Sequence, residues 1–232
     1  MLPKIIHYCW FGKNPLPPLV SRCIESWVEY CPDFEIRRWD ETNSPIDHPV
    51  VRRALADQLW AYAADYVRLH ALAAYGGIYL DTDIELIKSL DELVVLDGFS
   101  AFERPGFVCN GVLAAQPGNL VIENCKDVMT RYVQERVPFP TGPRILTAEL
   151  TGLKGSPLAF GDTVSGIKLL GPKSFYPYNP YDVNQKVKTL MFADIVDETY
   201  GVHHWEKSWK KTGWDRIKLA LRQRFRRYSL MD

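Results

Sequence analysis

The period of apolar residues changes several times along this chain, most sharply across residues 60–85, WAYAADYVRLHALAAYGGIYLDTDIE. Leu59, Tyr62, Tyr66, Leu69 and Leu72 recur at spacings of three and four, with alanines at 61, 63, 64, 71 and 73 between them. That period predicts a closely packed helix. Gly76 and Gly77 tolerate the positive φ that ends a helix and reverses the chain, so the helix should stop at about Tyr75. Ile78, Tyr79 and Leu80 then form a continuous apolar run, as in a strand covered on both faces, before the chain turns polar at Asp81-Thr82-Asp83.

The same reading extends to the flanks. Residues 4–10 are β-branched and aromatic and end at Phe11-Gly12, which predicts a first strand that delivers Trp10 to the carboxyl edge of a sheet. Leu19, Cys23, Trp27 and Tyr30 predict a helix over 19–31, and 35–39 a second strand, completing a β-α-β unit. A Pro- and Asp-containing loop at 44–50 leads to the central helix. Beyond the aspartates the pattern predicts an extended segment at 84–87, a short acidic helix at 90–96, and strands at 98–103 and 107–115. Asn110-Gly111 inside the last strand predicts a bulge or a close backbone approach. An amphipathic helix follows at 119–133, with Leu120, Ile122, Cys125, Val128 and Tyr132 inward. Residues 138–157 read as a loop through Pro140-Thr141-Gly142-Pro143 and then a helix from Ile145, and 171–181, dense in Pro and Tyr, as an irregular loop without an assigned role.

In an extended chain Asp81 and Asp83 point to one side, and ligands of open α/β sheets bind at the carboxyl ends of strands. Two converging carboxylates repel, and a divalent cation such as Mn²⁺ or Mg²⁺ removes that cost. Two solvated aspartates in a turn is the alternative. Asp65 and Arg68, three apart on a helix of Ala, Leu and Tyr, add a charged pair that points to a site at the helix's end. His203 and His204 would complete a reasonable Mn²⁺ site with two carboxylates, or belong to the core or surface.

The runs Ala64-Asp65-Tyr66-Val67-Arg68 and Tyr75-Gly76-Gly77-Ile78-Tyr79-Leu80-Asp81-Thr82-Asp83 resemble the signature of the DXD sugar transferases. These are retaining, metal-dependent glycosyltransferases of the GT-A fold, of the family 32 type. The group includes yeast mannosyltransferases, capsule and lipopolysaccharide enzymes, and the glucosylating domain of large clostridial toxins. The resemblance implies a Rossmann-like α/β fold with a central mixed, mostly parallel sheet flanked by helices. It also implies a metal on Asp81 and Asp83, with Asp65 and Arg68 against the donor sugar and phosphates. Tyr79 would line the pocket, Trp10 would stack on the nucleobase, and Asn110 would contact the sugar. A carboxy-terminal His-x-x-x-x-Ser-Trp segment matches 203–209, which implies His203 at the metal or diphosphate and Lys207, Ser208 and Trp209 at the leaving phosphates. Thr141 and Gly142 match a Thr-Gly-Pro near the substrate.

Length and composition fit one domain, residues 1–209, with a basic amphipathic helix at 210–232. The formal charge is zero, yet residues after Glu206 carry nine Lys or Arg against two Asp, which leaves the rest at minus seven. Trp214, Ile217, Leu221, Phe225 and Tyr228 lie near one helical stripe in this tail, so an anionic membrane surface is the expected contact, with docking on the acidic body as the alternative. No nucleic-acid recognition motif accompanies the basic residues. Five cysteines without a CxxC pair favour a reducing compartment, and no run of about eighteen apolar residues occurs, so the expected place is cytoplasmic, at the inner face of the cell membrane.

The expected activity is transfer of a hexose or N-acetylhexosamine from a nucleoside-diphosphate sugar, UDP-linked in preference to GDP-mannose. The acceptor is a saccharide or a lipid-linked saccharide in bacterial surface-polysaccharide synthesis. The rivals are a metal-dependent phosphatase, which would place its Asp-x-Asp nearer the domain start, and a non-catalytic sugar-nucleotide-binding module.

Overall fold

The alternation of strand and helix periods builds a sheet with helices on its faces, seen in a computed structural model that describes residues 1–135, 140–181 and 189–206. Lys207, Ser208, Trp209 and the tail helix expected at 210–232 lie outside the described residues. The chain runs β1 (Ile5–Cys9), α1 (Pro18–Tyr30), β2 (Glu35–Trp39), α2 (Pro49–Ala56), α3 (Trp60–Tyr75) and β3 (Gly77–Leu80). It continues through β4 (Ile84–Leu86), β5 (Gly98–Arg104), β6 (Phe107–Ala115), α4 (Leu120–Gln134), α5 (Gly142–Lys154), β7 (Thr163–Val164), β8 (Ile167–Leu170) and β9 (Gly201–His203).

Among the described residues the main sheet has the order β2-β1-β3-β6-β5-β8-β7. β1 pairs in parallel with β2 and β3, and β5 with β8, while β6 runs antiparallel between β3 and β5. Five strands therefore share one direction, with β6 and β7 reversed. β4 and β9 form a separate antiparallel ribbon that sets Ile84 opposite His203. This ribbon brings the late chain back to the end of β3.

The central helix and strand follow the sequence pattern closely. α3 ends at Tyr75, and Gly76 and Gly77 take φ of 63° and 96°. Gly77 also lies where a side chain would meet the Ile5 carbonyl oxygen at 2.7 Å, so close strand packing and backbone conformation both demand glycine. One face of the sheet packs α3, α4 and α5 over Tyr79, Phe102 and Leu113, and the other packs Trp27, Ile84 and Phe175 over Ile78, Leu80 and Val112. α1 clamps the ribbon by hydrogen bonds. Trp27 Nε1 donates to the Ile84 carbonyl at 2.7 Å, and the Ser26 hydroxyl accepts the Leu86 N–H at 2.9 Å.

Four expectations are corrected. The loop leading to the central helix contains α2, which starts at Pro49, with the His48 ring accepting the Val50 N–H; proline fits the first turn of a helix, where its missing N–H costs nothing. Residues 90–96 form successive turns, with Leu93 N–H bonded to the Leu90 carbonyl and Leu96 N–H to that of Leu93, and no helix. In α4 the buried face is Val121, Ile122, Cys125 and Met129, while Leu120 is exposed at the first turn, where Asn119 caps Val121 and Ile122. α5 begins at Gly142, three residues before Ile145. The 171–181 segment is irregular in backbone, as expected, yet Phe175 and Tyr176 are buried in the core.

Candidate active site

The Asp81-Thr82-Asp83 segment does not continue the strand as an extended chain. The Ile84 N–H bonds to the Asp81 carbonyl at 3.0 Å, so residues 81–84 form a tight turn, and this turn, with the β4–β9 ribbon, brings the two carboxylates together. Asp81, Asp83 and His203 each offer a ligand atom, all within 4.8 Å of one another. The convergence expected from the sequence is present for a different physical reason.

Asp83 is the pivot of this group. One carboxylate oxygen lies 3.2 Å from His203 Nε2, the other accepts the Glu206 N–H at 2.8 Å, and its carbonyl accepts the His204 N–H at 2.9 Å. Burial would raise the Asp83 pKa, but the His203 charge and these hydrogen bonds lower it overall. Burial works against charge on His203 as well, and Asp83, then Asp81, raise its pKa on balance. His203 Nδ1 is buried without a hydrogen-bond partner among the described residues, and its ring packs edge-on against Trp205 at 4.3 Å and Tyr176 at 5.6 Å.

Arg68 forms the floor. Its guanidinium reaches Asp65 at 3.1 Å and Asp81 at 3.2 Å, donates to the Asn110 carbonyl at 2.5 Å, and lies 4.3 Å above the Tyr79 ring. Burial disfavours its charge, but Asp81, Tyr79 and Asp65 outweigh that and its pKa is raised. The Asp81 pKa is raised by burial and by Asp83, against the pull of Arg68. A buried fork between two carboxylates holds both at fixed positions.

Asp65 accepts from the Asn110 amide at 2.9 Å and from the Gly142 N–H at 3.3 Å, which ties the central helix to β6 and to the start of α5. A side chain on Gly142 would run into Asn110 and Asp65, and one on Gly111 would come within 2.7 Å of Asp81 Oδ2. The bulge expected at Asn110-Gly111 is real. Ser100 pairs with Leu113 and the next residue, Ala101, with Cys109, so residues 110–112 are looped out of register. That irregularity turns the Asn110 carbonyl and amide toward Arg68 and Asp65.

The sequence-derived residues Asp65, Arg68, Asp81, Asp83, Asn110 and His203 are thus brought into one contiguous group at the carboxyl end of β3. Tyr79 is 1% exposed and supports Arg68 from below instead of lining the opening. Trp10 stands at the carboxyl end of β1, half-buried, with Nε1 donating to the Asn14 carbonyl at 2.7 Å. His204 turns away from the cluster to Glu85, at 2.6 Å. Thr141 caps α5 by its backbone, and its neighbour Gly142 is the residue that meets Asp65. Asp40 and Asn43 close a turn after β2, where the Asn43 side chain accepts the Asp40 N–H at 2.9 Å.

Sequence reasoning passed over Tyr176, Trp205 and Glu103. The Tyr176 hydroxyl accepts the Val112 N–H at 3.1 Å inside the bulge. Trp205 adopts φ of 58°, unusual for an aromatic residue, and donates from Nε1 to the Tyr178 carbonyl at 2.8 Å. Glu103, paired with Arg104, has a side chain only 11% exposed and a pKa raised by burial. The aromatic density of 171–181 was the available signal for Tyr176. An acidic residue ending an apolar strand was the signal for Glu103.

Residues 17–99 match the family described as "Glycosyltransferase sugar-binding region containing DXD motif". The fold is GT-A. It aligns with PaToxG glycosyltransferase over 65% of this chain and 68% of that one, with a TM-score of 0.55 and 17% identity. Against the galactosyltransferase LgtC in complex with donor and acceptor sugar analogues it covers 93% and 95%, with a TM-score of 0.50 and 15% identity. In sequence the chain is similar to inositol phosphoceramide mannosyltransferase 3 of Schizosaccharomyces pombe, 28% identical over 63% of this chain and 44% of that protein. It is also similar to the lactosylceramide 4-alpha-galactosyltransferase of Rattus norvegicus, 27% identical over 82% of this chain and 55% of that protein. The chain spans about half the length of these two relatives.

Proposed function

We propose that the protein transfers a sugar from a nucleoside-diphosphate donor to a hydroxyl of a saccharide or lipid-linked saccharide, with Asp81, Asp83 and His203 as ligands of Mn²⁺ or Mg²⁺. The observation that carries this reading is the convergence of two carboxylates and an imidazole at the carboxyl end of β3, backed by a buried arginine. The donor set fits the ion. Oxygen and imidazole ligands suit Mn²⁺, and their mutual spacing matches one coordination sphere. When bound, the ion supplies positive charge to the diphosphate as the bond from sugar to phosphate breaks.

The chain's own residues then have distinct tasks. Asp65, held by Arg68, Asn110 and Gly142, accepts hydrogen bonds from sugar hydroxyls. Arg68 fixes the angle between Asp65 and Asp81, so that the sugar and the diphosphate are presented in one orientation. Trp10 provides a ring for the base, and Lys207, Ser208 and Trp209 belong to this proposal as contacts of the leaving phosphates. The reaction is inferred to retain configuration. The acceptor oxygen bonds to the anomeric carbon from the face the diphosphate leaves, and the acceptor's proton passes to the departing phosphate oxygen. UDP is the favoured nucleotide, with GDP as the second. Two relatives carry names of ceramide glycolipid enzymes, which supports a lipid-linked acceptor here. The surface-polysaccharide setting and the inner face of the cell membrane are part of the same proposal.

A thermal-shift panel of UDP-, GDP-, dTDP- and CMP-sugars with Mn²⁺ or with EDTA tests the donor and the metal together. The expected result is a shift for one nucleotide sugar, lost with EDTA and in Asp83→Ala, followed by slow release of free sugar over long incubation. No shift from any donor overturns the transferase reading. A shift without turnover favours a binding module, and hydrolysis of an aryl phosphate favours a phosphatase.

A further inference from the structure

A histidine that ligates a metal through one ring nitrogen ordinarily donates from the other to a carboxylate, a carbonyl or water, and that bond fixes both the tautomer and the ring angle. His203 departs from this pattern. Its Nε2 lies 3.2 Å from Asp83, while Nδ1 is buried without a hydrogen-bond partner among the described residues. Its backbone is held by pairing with Ile84 across the ribbon and by its N–H on the Phe175 carbonyl at 3.0 Å. On the side of the ring away from Asp83 the support is aromatic.

Trp205 meets the imidazole at 4.3 Å between ring centroids and 87° between planes, closer than most aromatic pairs stand, and Tyr176 meets it at 5.6 Å and 67°. The Trp205 and Tyr176 rings are themselves 5.9 Å apart. Each is pinned at its polar end. The indole Nε1 donates to the Tyr178 carbonyl at 2.8 Å, and the Tyr176 hydroxyl accepts the Val112 N–H at 3.1 Å. The two rings are therefore fixed by β6 and by the 176–178 segment, independently of the strand that carries His203.

The backbone makes the choice of residue informative. Trp205 has φ of 58°, in the left-handed region that bulky residues rarely adopt. That conformation turns the chain back onto Asp83, whose carbonyl accepts the His204 N–H at 2.9 Å and whose carboxylate accepts the Glu206 N–H at 2.8 Å. Glycine or asparagine would make the same turn with less strain. The turn alone does not call for an indole, whereas the imidazole beside it does.

We propose that Trp205 is a positioning residue for the metal site: its ring, with that of Tyr176, holds the His203 imidazole with Nε2 toward Asp83, in place of the hydrogen bond that a ligating histidine ordinarily makes. This rests on the reading of His203 as a ligand of Mn²⁺ or Mg²⁺. The indole offers a donor and no lone pair to a cation, so Trp205 acts through His203.

The test is titration of the full chain with Mn²⁺, with the free ion followed by electron paramagnetic resonance and the fold of each variant checked by a metal-free melting curve. Trp205→Asn tolerates the left-handed turn and removes the ring, and it should weaken Mn²⁺ binding about 10–100-fold, the usual effect of losing a group that orients a ligating histidine. Trp205→Phe keeps an aromatic ring and should bind close to the wild-type value. A loss as large as that of the asparagine variant would assign the effect to the Tyr178 hydrogen bond and overturn the proposal. In a His203→Ala background, which leaves the two carboxylates to bind the ion, Trp205→Asn should weaken binding no further, because the residue has no imidazole left to hold. An equal loss in both backgrounds would show a general structural role and overturn the proposal. A wild type that binds Mn²⁺ beside a Trp205→Asn variant that binds it equally well overturns this proposal alone. A wild type that binds no Mn²⁺ overturns the ligand assignment and this proposal with it.

Discussion

The Asp83 carboxylate and the His203 imidazole, far apart in the chain, meet at 3.2 Å, and the same carboxylate receives the Glu206 N–H through its other oxygen. A single side chain therefore ties the turn after β3 to the last strand and to the exit toward the basic segment. Any change at Asp83 is felt both in the ligand group and in the placement of residues 204–206.

Asp81→Asn is expected to cut sugar release or transfer on the order of 10²-fold or more while leaving the fold intact. The amide keeps the shape and the hydrogen bond from Arg68 but removes the charge that a cation needs. Steady-state turnover with Mn²⁺, next to a melting curve without metal, checks both halves. Turnover near that of the wild type would remove Asp81 from the ligand set.

Arg68→Met is expected to destabilise the protein by about 2–4 kcal/mol, because it leaves the half-buried Asp65 and Asp81 without their shared cation. Urea unfolding at neutral pH measures the loss. The double variant Arg68→Met with Asp65→Asn should recover part of it, since only one of the two carboxylates that Arg68 served then remains.

Gly142→Ala is expected to cost about 1–3 kcal/mol and to displace Asp65, since the added carbon has no room beside Asn110 and Asp65. The melting temperature reports the first effect, and donor affinity by thermal shift the second. Gly152→Ala, on the same helix with open space at its Cβ position, is the control that should lose neither.

His7 gives a pH dependence with a definite sign. It is fully buried, its Nε2 lies 2.9 Å from the Gly76 carbonyl, and its Nδ1 accepts the Trp39 indole N–H at 3.1 Å, so the neutral ring fits the site. Burial lowers its pKa to about 4 from 6.5. Between those values the unfolded chain binds a proton that the folded protein does not, so stability falls as pH drops from 6.5 toward 4 and is unaffected by His7 above 6.5. The full shift corresponds to roughly 3 kcal/mol. Urea midpoints across this range should slope downward in the wild type, and the slope should flatten in His7→Gln.

What the chain determines locally, the sequence displays. The period of 3.6 residues in α3, the two glycines at its end and the apolar run of β3 are decided by side-chain spacing and backbone freedom within a few residues. The resemblance carried by residues 64–68 and 75–83 brought out Asp65, Arg68, Asp81 and Asp83 for the same reason. α2 was hidden because a proline that starts a helix and a proline that prevents one look alike without their neighbours. The run at 90–96 has helical composition, but it closes as i to i+3 turns between β4 and β5.

Tertiary structure decided the rest. Asp81 and Asp83 converge through a turn and not through strand alternation, and His203 joins them because β9 pairs with β4. No local spacing encodes a contact between residues that far apart. The same holds for Tyr176 inside the β6 bulge and for Gly142 against Asp65, where the requirement comes from another element's side chains. Sequence periodicity fixes which face of an element is apolar. Which charged groups share a site depends on how those faces stack, since packing and desolvation act between elements and not along them.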